Sequence, residues 1–203
     1  MSGTARAQSG IRNRTRRAIL SAACSILARN FSATLAEIAD AAEVGRTTLH
    51  RYFPDREALI KAAVDDSVEA IESSTAQAAI EQGPPLEAMR RLVAAMVEVG
   101  DRLMFLFGDP RVLETYGRTK ADAPLEDSVT SLVRRGQDEG VFDPELSPVW
   151  IRHVLWAMVY TGLEEADSGR LPRHGITATV IRTFENGVTR HRPDGTPPPT
   201  TSL

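Results

Sequence analysis

The side chains whose type and spacing invite chemistry lie between Thr34 and Arg56. Arg46, Thr47, Thr48, His50 and Arg51 fall on the outward side of a short helical stretch ending at Tyr52, while Leu49 and Phe53 point inward. That chemistry is hydrogen bonding. A guanidinium presents a planar fork of donors that matches O6 and N7 of a guanine or the oxygens of a phosphate. Short hydroxyls reach base edges without bulk, and no long apolar group keeps this side out of a major groove.

Signatures of covalent or metal chemistry are missing. The sequence holds no phosphate-cradling Walker loop, no H-E-x-x-H, no G-x-S-x-G and no Cys/His nucleophile pair. His50, His153, His174 and His191 lack metal-ligand spacing, and the lone Cys24 removes a disulfide framework and a Cys-built zinc site. The chain is therefore expected to be no enzyme and to carry no catalytic residue, metal or cofactor. A helical enzyme and an interaction module without DNA binding are the competing readings.

Charge is uneven along the 203 residues. Residues 1–60 hold nine Arg against five acids, whereas the remainder is acidic enough to bring the net charge to −3. A basic front on an acidic body suits a polyanion that meets the front only. For the cluster Arg12, Arg14, Arg16 and Arg17, charge alone fits a solvated helix face as well.

The elements that position these groups read as helices throughout, and the fold expected is all-α with about nine of them. Residues 1–10 are expected to form a disordered arm. A helix over 11–30 turns Ile19, Leu20, Ala22, Ala23, Ile26 and Leu27 to one face, with Cys24 at its edge. Its Arg pair and apolar run imitate a signal peptide, but Ser21 and Ser25 break the run at helical spacing and no clean cleavage site follows.

Thr34-Leu35-Ala36-Glu37 is a capping box opening a second short helix. Glu43-Val44-Gly45 interrupts the period, a third helix runs over 46–52, and Pro54 ends it. Asp55 is placed to cap a long helix over 56–82. Further helices are expected over 86–107 with a break at Gly100, then over 112–120, 125–139, 147–166 and 176–190. The tail 191–203 is expected to stay unfolded, which sets 11–55 apart as a helix-turn-helix domain from a helical body over 56–190. An ordinary corner between two helices is the bland alternative.

Thr34-x-x-x-Ile38-Ala39-x-x-Ala42-x-Val44-x-x-x-Thr48-Leu49-x-x-Tyr52-Phe53-x-x-Arg56-Glu57-x-Leu59 resembles the DNA-binding domain of the TetR family of bacterial transcriptional regulators. The resemblance implies that Thr34 holds a phosphate, and that Ala36, Arg46, Thr47 and Thr48 face the groove. It implies that Arg51 and Tyr52 lie near the DNA backbone. His50 stands where the family usually has a phosphate-binding Tyr, and Arg56 where it has Lys. Arg46 is the candidate for reading a guanine. Two further departures are Glu43 in place of a turn Gly and Gly45 in place of a Ser cap.

The resemblance also implies a cytoplasmic, ligand-responsive regulator, most simply a repressor released from a pseudo-palindromic double-stranded operator by an unknown small molecule. It implies a homodimer joined by the last two helices, with 56–190 as the effector-binding and dimerisation domain. Helix 147–166 is apolar over most of its circumference, so Trp150, Val154, Ile176, Val180, Phe184 and Val188 are the candidate dimer interface. Met96, Phe105, Tyr116 and Trp156 are the candidate effector-binding residues, and His153 is expected to be a core histidine.

Overall fold

The computed structural model describes residues 2–109, Val112 and 124–189. Among them are nine α-helices and no strand: α1 Ser2–Arg29, α2 Leu35–Ala41, α3 Arg46–Tyr52, α4 Arg56–Ala78, α5 Pro85–Glu98, α6 Gly100–Gly108, α7 Pro124–Asp138, α8 Pro148–Asp167 and α9 Ile176–Val188. The all-α expectation holds. The helix expected over 112–120 and the tail 191–203 lie outside the described residues, apart from the helical Val112.

Two boundaries depart from the sequence reading. α1 continues back to Ser2, through the segment expected to be an unfolded arm; no proline interrupts it, and Ala5, Arg6, Ala7 and Gln8 favour helix. α4 stops at Ala78, four residues early, where Ala79 takes a left-handed φ of 48°. The 86–107 stretch divides where expected, α6 beginning at Gly100.

The chain forms two compact units, Met1–Ser73 with Val99–Asp122, and Ser74–Glu98 with Ala123–Leu203. In the first, Ile19, Leu20, Ala23, Cys24 and Leu27 of α1 are buried in a core shared with Leu103, Phe105 and Leu106 of α6, Leu49 and Phe53, and Leu59 and Ala63 of α4. The Cys24 sulfur lies 3.3 Å from the Ser67 hydroxyl, which donates to the Ala63 carbonyl at 2.7 Å. Burial pushes the Cys24 thiol up to about 11. Arg102 bonds Asp66 at 3.0 Å.

In the second unit, Met89, Leu92 and Met96 of α5 are buried together with Val129 and Val133 of α7, Ile151, Leu155 and Val159 of α8, and the inward stripe of α9. α8 and α9 come close at Gly162, where an added Cβ would stand 3.0 Å from the Ile176 and Val180 methyls. Phe142 lies over Gly136 and meets Phe184 edge-on with centroids 6.4 Å apart. Arg90 forks onto Glu185 at 2.6 and 3.1 Å.

The end of α4 is held in an unusual way. Arg91 donates to the carbonyls of Ala78, Ala79 and Gln82 at 2.7–2.9 Å. Arg135 donates to those of Ile80, Glu81 and Gly83 at 2.5–3.3 Å. Two guanidiniums thus bond all six carbonyl oxygens from 78 to 83; that of Ala79 also accepts the Gln82 N–H at 2.9 Å.

Candidate nucleic-acid interface

α2 is only seven residues long and needs its ends satisfied. Both halves of the capping box are present: the Thr34 hydroxyl accepts the Glu37 N–H at 3.3 Å, and Glu37 accepts the Thr34 N–H at 2.6 Å. The Thr34 hydroxyl also donates to Glu37 at 2.7 Å, so its proton is committed within the cap. Hydrogen bonds from the Thr34 N–H and hydroxyl hold the Glu37 carboxyl below its ordinary value.

The turn from α2 to α3 places Glu43 at φ 55°, a conformation in which glycine is cheaper. The family's usual glycine there has the same physical reason. Gly45 then caps α3 in an extended conformation and supplies no side-chain bond. Leu49 and Phe53, one helical turn apart, are buried, and α3 packs against α2. Arg46, Thr47, His50 and Arg51 are exposed, and Thr48 and Tyr52 are half-buried. Exposed Thr34 and half-buried Ala36 stand at the start of α2.

Two contacts were not visible in the sequence. The Arg12 guanidinium stands 6.0 Å from the Tyr52 ring centre and Arg51 stands 5.7 Å from it, so the ring carries a cation from α1 and one from α3. Arg16 stands 5.8 Å from the Phe53 ring. The i,i+4 spacing of Arg12 and Arg16 was the available signal, but the cluster read equally well as a solvated face. His50 Nδ1 donates to the Pro54 carbonyl at 3.3 Å, which leaves Nε2 for other partners.

Arg56 is placed differently from the resemblance. Its guanidinium donates to the backbone carbonyls of Phe31 and Ala33 and lies over the Phe31 ring. Carbonyl acceptors leave no mark in a sequence, so nothing foretold it.

The body residues divide. Ile176, Val180, Phe184 and Val188 are buried inside one chain, which corrects their assignment to a dimer interface: the i+4 stripe of α9 is consumed by α8 and α5. Trp150 is 58% exposed and Val149 41%, on the side of α8 away from Ile151, Leu155 and Val159, with Val154 half-buried. His153 is exposed there too, so it is no core histidine.

Of the effector candidates, Met96 is core of the second unit and Phe105 core of the first; Trp156 is half-buried, and Tyr116 lies outside the described residues. A cleft of about 770 Å³ in the first unit is lined instead by polar side chains, including Arg16, Arg17, Asp66, Glu69 and Arg102. Among the described residues, no group of three or more His, Cys, Asp and Glu is placed to hold a metal ion.

A capped short helix, a turn through a left-handed residue and a second short helix with an exposed basic and hydroxylic side define a helix-turn-helix regulator. The profile of bacterial regulatory proteins of the tetR family matches residues 19–63. The transcriptional repressor LfrR of Mycolicibacterium smegmatis is 34% identical over 181 residues, 89% of this chain and 94% of LfrR. The chain belongs to the TetR family of bacterial transcriptional regulators. The crystal structure of LfrR superposes with a TM-score of 0.72 at 32% identity, over 88% of this chain and 98% of that one. LfrR in complex with proflavine gives 0.61 at 30% identity, over 86% and 96%.

Proposed function

We propose that the chain is a cytoplasmic repressor, not an enzyme. It binds a pseudo-palindromic operator as a homodimer and releases it when a small molecule occupies the helical body. One observation carries this reading: α3 is anchored by Leu49 and Phe53 while Arg46, Thr47, His50 and Arg51 stand exposed, with no acidic side chain between Arg46 and Pro54. Arg46 reads a guanine, Thr47 and Thr48 reach base edges, and His50, Arg51 and Tyr52 meet phosphates. Thr34 positions α2 through its cap, which leaves the Leu35 and Ala36 N–H groups to meet a phosphate. Ala36 packs against the groove wall. No helix among the described residues is long and apolar enough to cross a membrane.

The dimer forms through the outward face of α8, with Val149, Trp150 and Val154 facing their copies. An exposed tryptophan flanked by valines suits a self-complementary two-fold contact. Two recognition helices then meet half-sites about 34–36 Å apart. LfrR has been solved with proflavine, so proflavine is the first effector to try, with Trp156 as the reporting aromatic. An effector moves the equilibrium only by its preference for one arrangement of the recognition helices over the other.

The test is selection of bound sequences from a random duplex pool, followed by fluorescence anisotropy of the selected duplex. A pseudo-palindrome should be enriched, its affinity should fall steeply with salt, and proflavine should release it. A pool left unenriched defeats the reading.

A further inference from the structure

The resemblance puts Arg56 among residues that meet phosphate, yet the structure gives its guanidinium another occupation. One terminal nitrogen donates to the Ala33 carbonyl and the other to the Phe31 carbonyl, while the guanidinium carbon stands 5.6 Å from the Phe31 ring centre. These carbonyls belong to the connection between α1 and α2. Asn30 also holds that turn: its carbonyl accepts the Ala33 N–H at 3.0 Å, and its side chain accepts the Ser32 N–H and hydroxyl at 3.1 and 2.6 Å.

Arg56 therefore ties the first residue of α4 to the residues immediately before Thr34. A cation at a helix N-terminus is opposed by the helix dipole, and two carbonyl acceptors offset that cost. A lysine at this position would be a mobile point charge for a phosphate; a fork spread over two carbonyls and stacked on a ring is not.

We propose that Arg56 is a positioning residue for operator binding that takes no phosphate: it fixes the α1–α2 turn and thereby the place of Thr34 and α2 beside α3. The proposal rests on the operator reading above, and the experiment separates the two. The full chain and its Arg56→Lys and Arg56→Gln variants are titrated against the selected duplex over a salt series. The free proteins are compared by hydrogen–deuterium exchange.

With Arg56 as clamp, Arg56→Lys lowers affinity about tenfold or more at every salt concentration, because a charged ammonium cannot replace the fork. Arg56→Gln leaves the slope of log affinity against log salt unchanged, and the free variants exchange faster only over residues 30–41. With Arg56 on phosphate, Arg56→Lys binds like the wild type, Arg56→Gln reduces the slope by about 0.9, and exchange stays the same. That result overturns the proposal. So does faster exchange along the whole chain, which makes Arg56 a general stabiliser. A wild-type protein that retains no duplex sinks the operator reading and this proposal together; a wild type that binds while Arg56→Lys matches it sinks the proposal alone.

Discussion

α3 and the α8–α9 pair use their side chains in opposite ways. α3 buries only Leu49 fully, leaves Thr48 and Tyr52 half-buried and turns Arg46, Thr47, His50 and Arg51 outward. α9 buries Ile176, Val180, Phe184 and Val188, and α8 buries a full stripe while leaving Trp150 and Val149 uncovered. Function on α3 is therefore nearly silent for folding, whereas most of the apolar surface of α8 and α9 is folding. Helical spacing shows that a stripe exists; it does not show whether the stripe faces its own chain or another.

The largest expected effect tests the folding side of that contrast. Phe184→Ala leaves a void beneath Phe142 and should cost about 3–5 kcal/mol in urea unfolding. Arg46→Ala should leave unfolding unchanged, weaken operator binding by about 1–3 kcal/mol and relax preference at one base position. Loss of affinity with base preference intact would remove Arg46 from the reading role.

Thr34→Ala should cost about 1 kcal/mol of stability by opening the capping box. The box also has a pH signature. Its bonds depress the Glu37 carboxyl in the folded chain, so the stabilisation is present above the ordinary carboxylate range. It is lost as pH falls through the depressed value, and a urea-midpoint series on Glu37→Gln should lack that loss.

Trp150→Arg should shift unfolding of the single chain by no more than about 0.5 kcal/mol, since the side chain is exposed. It should nonetheless halve the mass measured by sedimentation. An unchanged mass would move the dimer contact off α8. The smallest effect is a gain: Gly45→Ser adds a cap hydroxyl where nothing lies within 4 Å, and should stabilise by a few tenths of a kcal/mol.

The parts legible beforehand were those governed by neighbours in sequence. The Thr34–Glu37 box, the Asp55 bond to the Ala58 N–H and the break at Gly100 all arise within four residues. What escaped depends on partners far along the chain. The side taken by the α9 stripe was settled by α8 and α5, the exposure of His153 by which face of α8 turned inward, and the posting of Arg56 by carbonyls 23 and 25 residues away. The early end of α4 escaped for the same reason, since Arg91 and Arg135 supply its stop from other helices.

That last arrangement bears on how the sequence is free to drift. Arg91 and Arg135 grip only main-chain oxygens, so nothing in their hold depends on which side chains occupy 78 to 82. A saturation scan should find those five positions broadly permissive, apart from proline, from replacements at the buried Ala78 and Ile80, and from β-branched residues at the left-handed Ala79. Intolerance should surface instead at the two distant arginines, where lysine is a poor substitute.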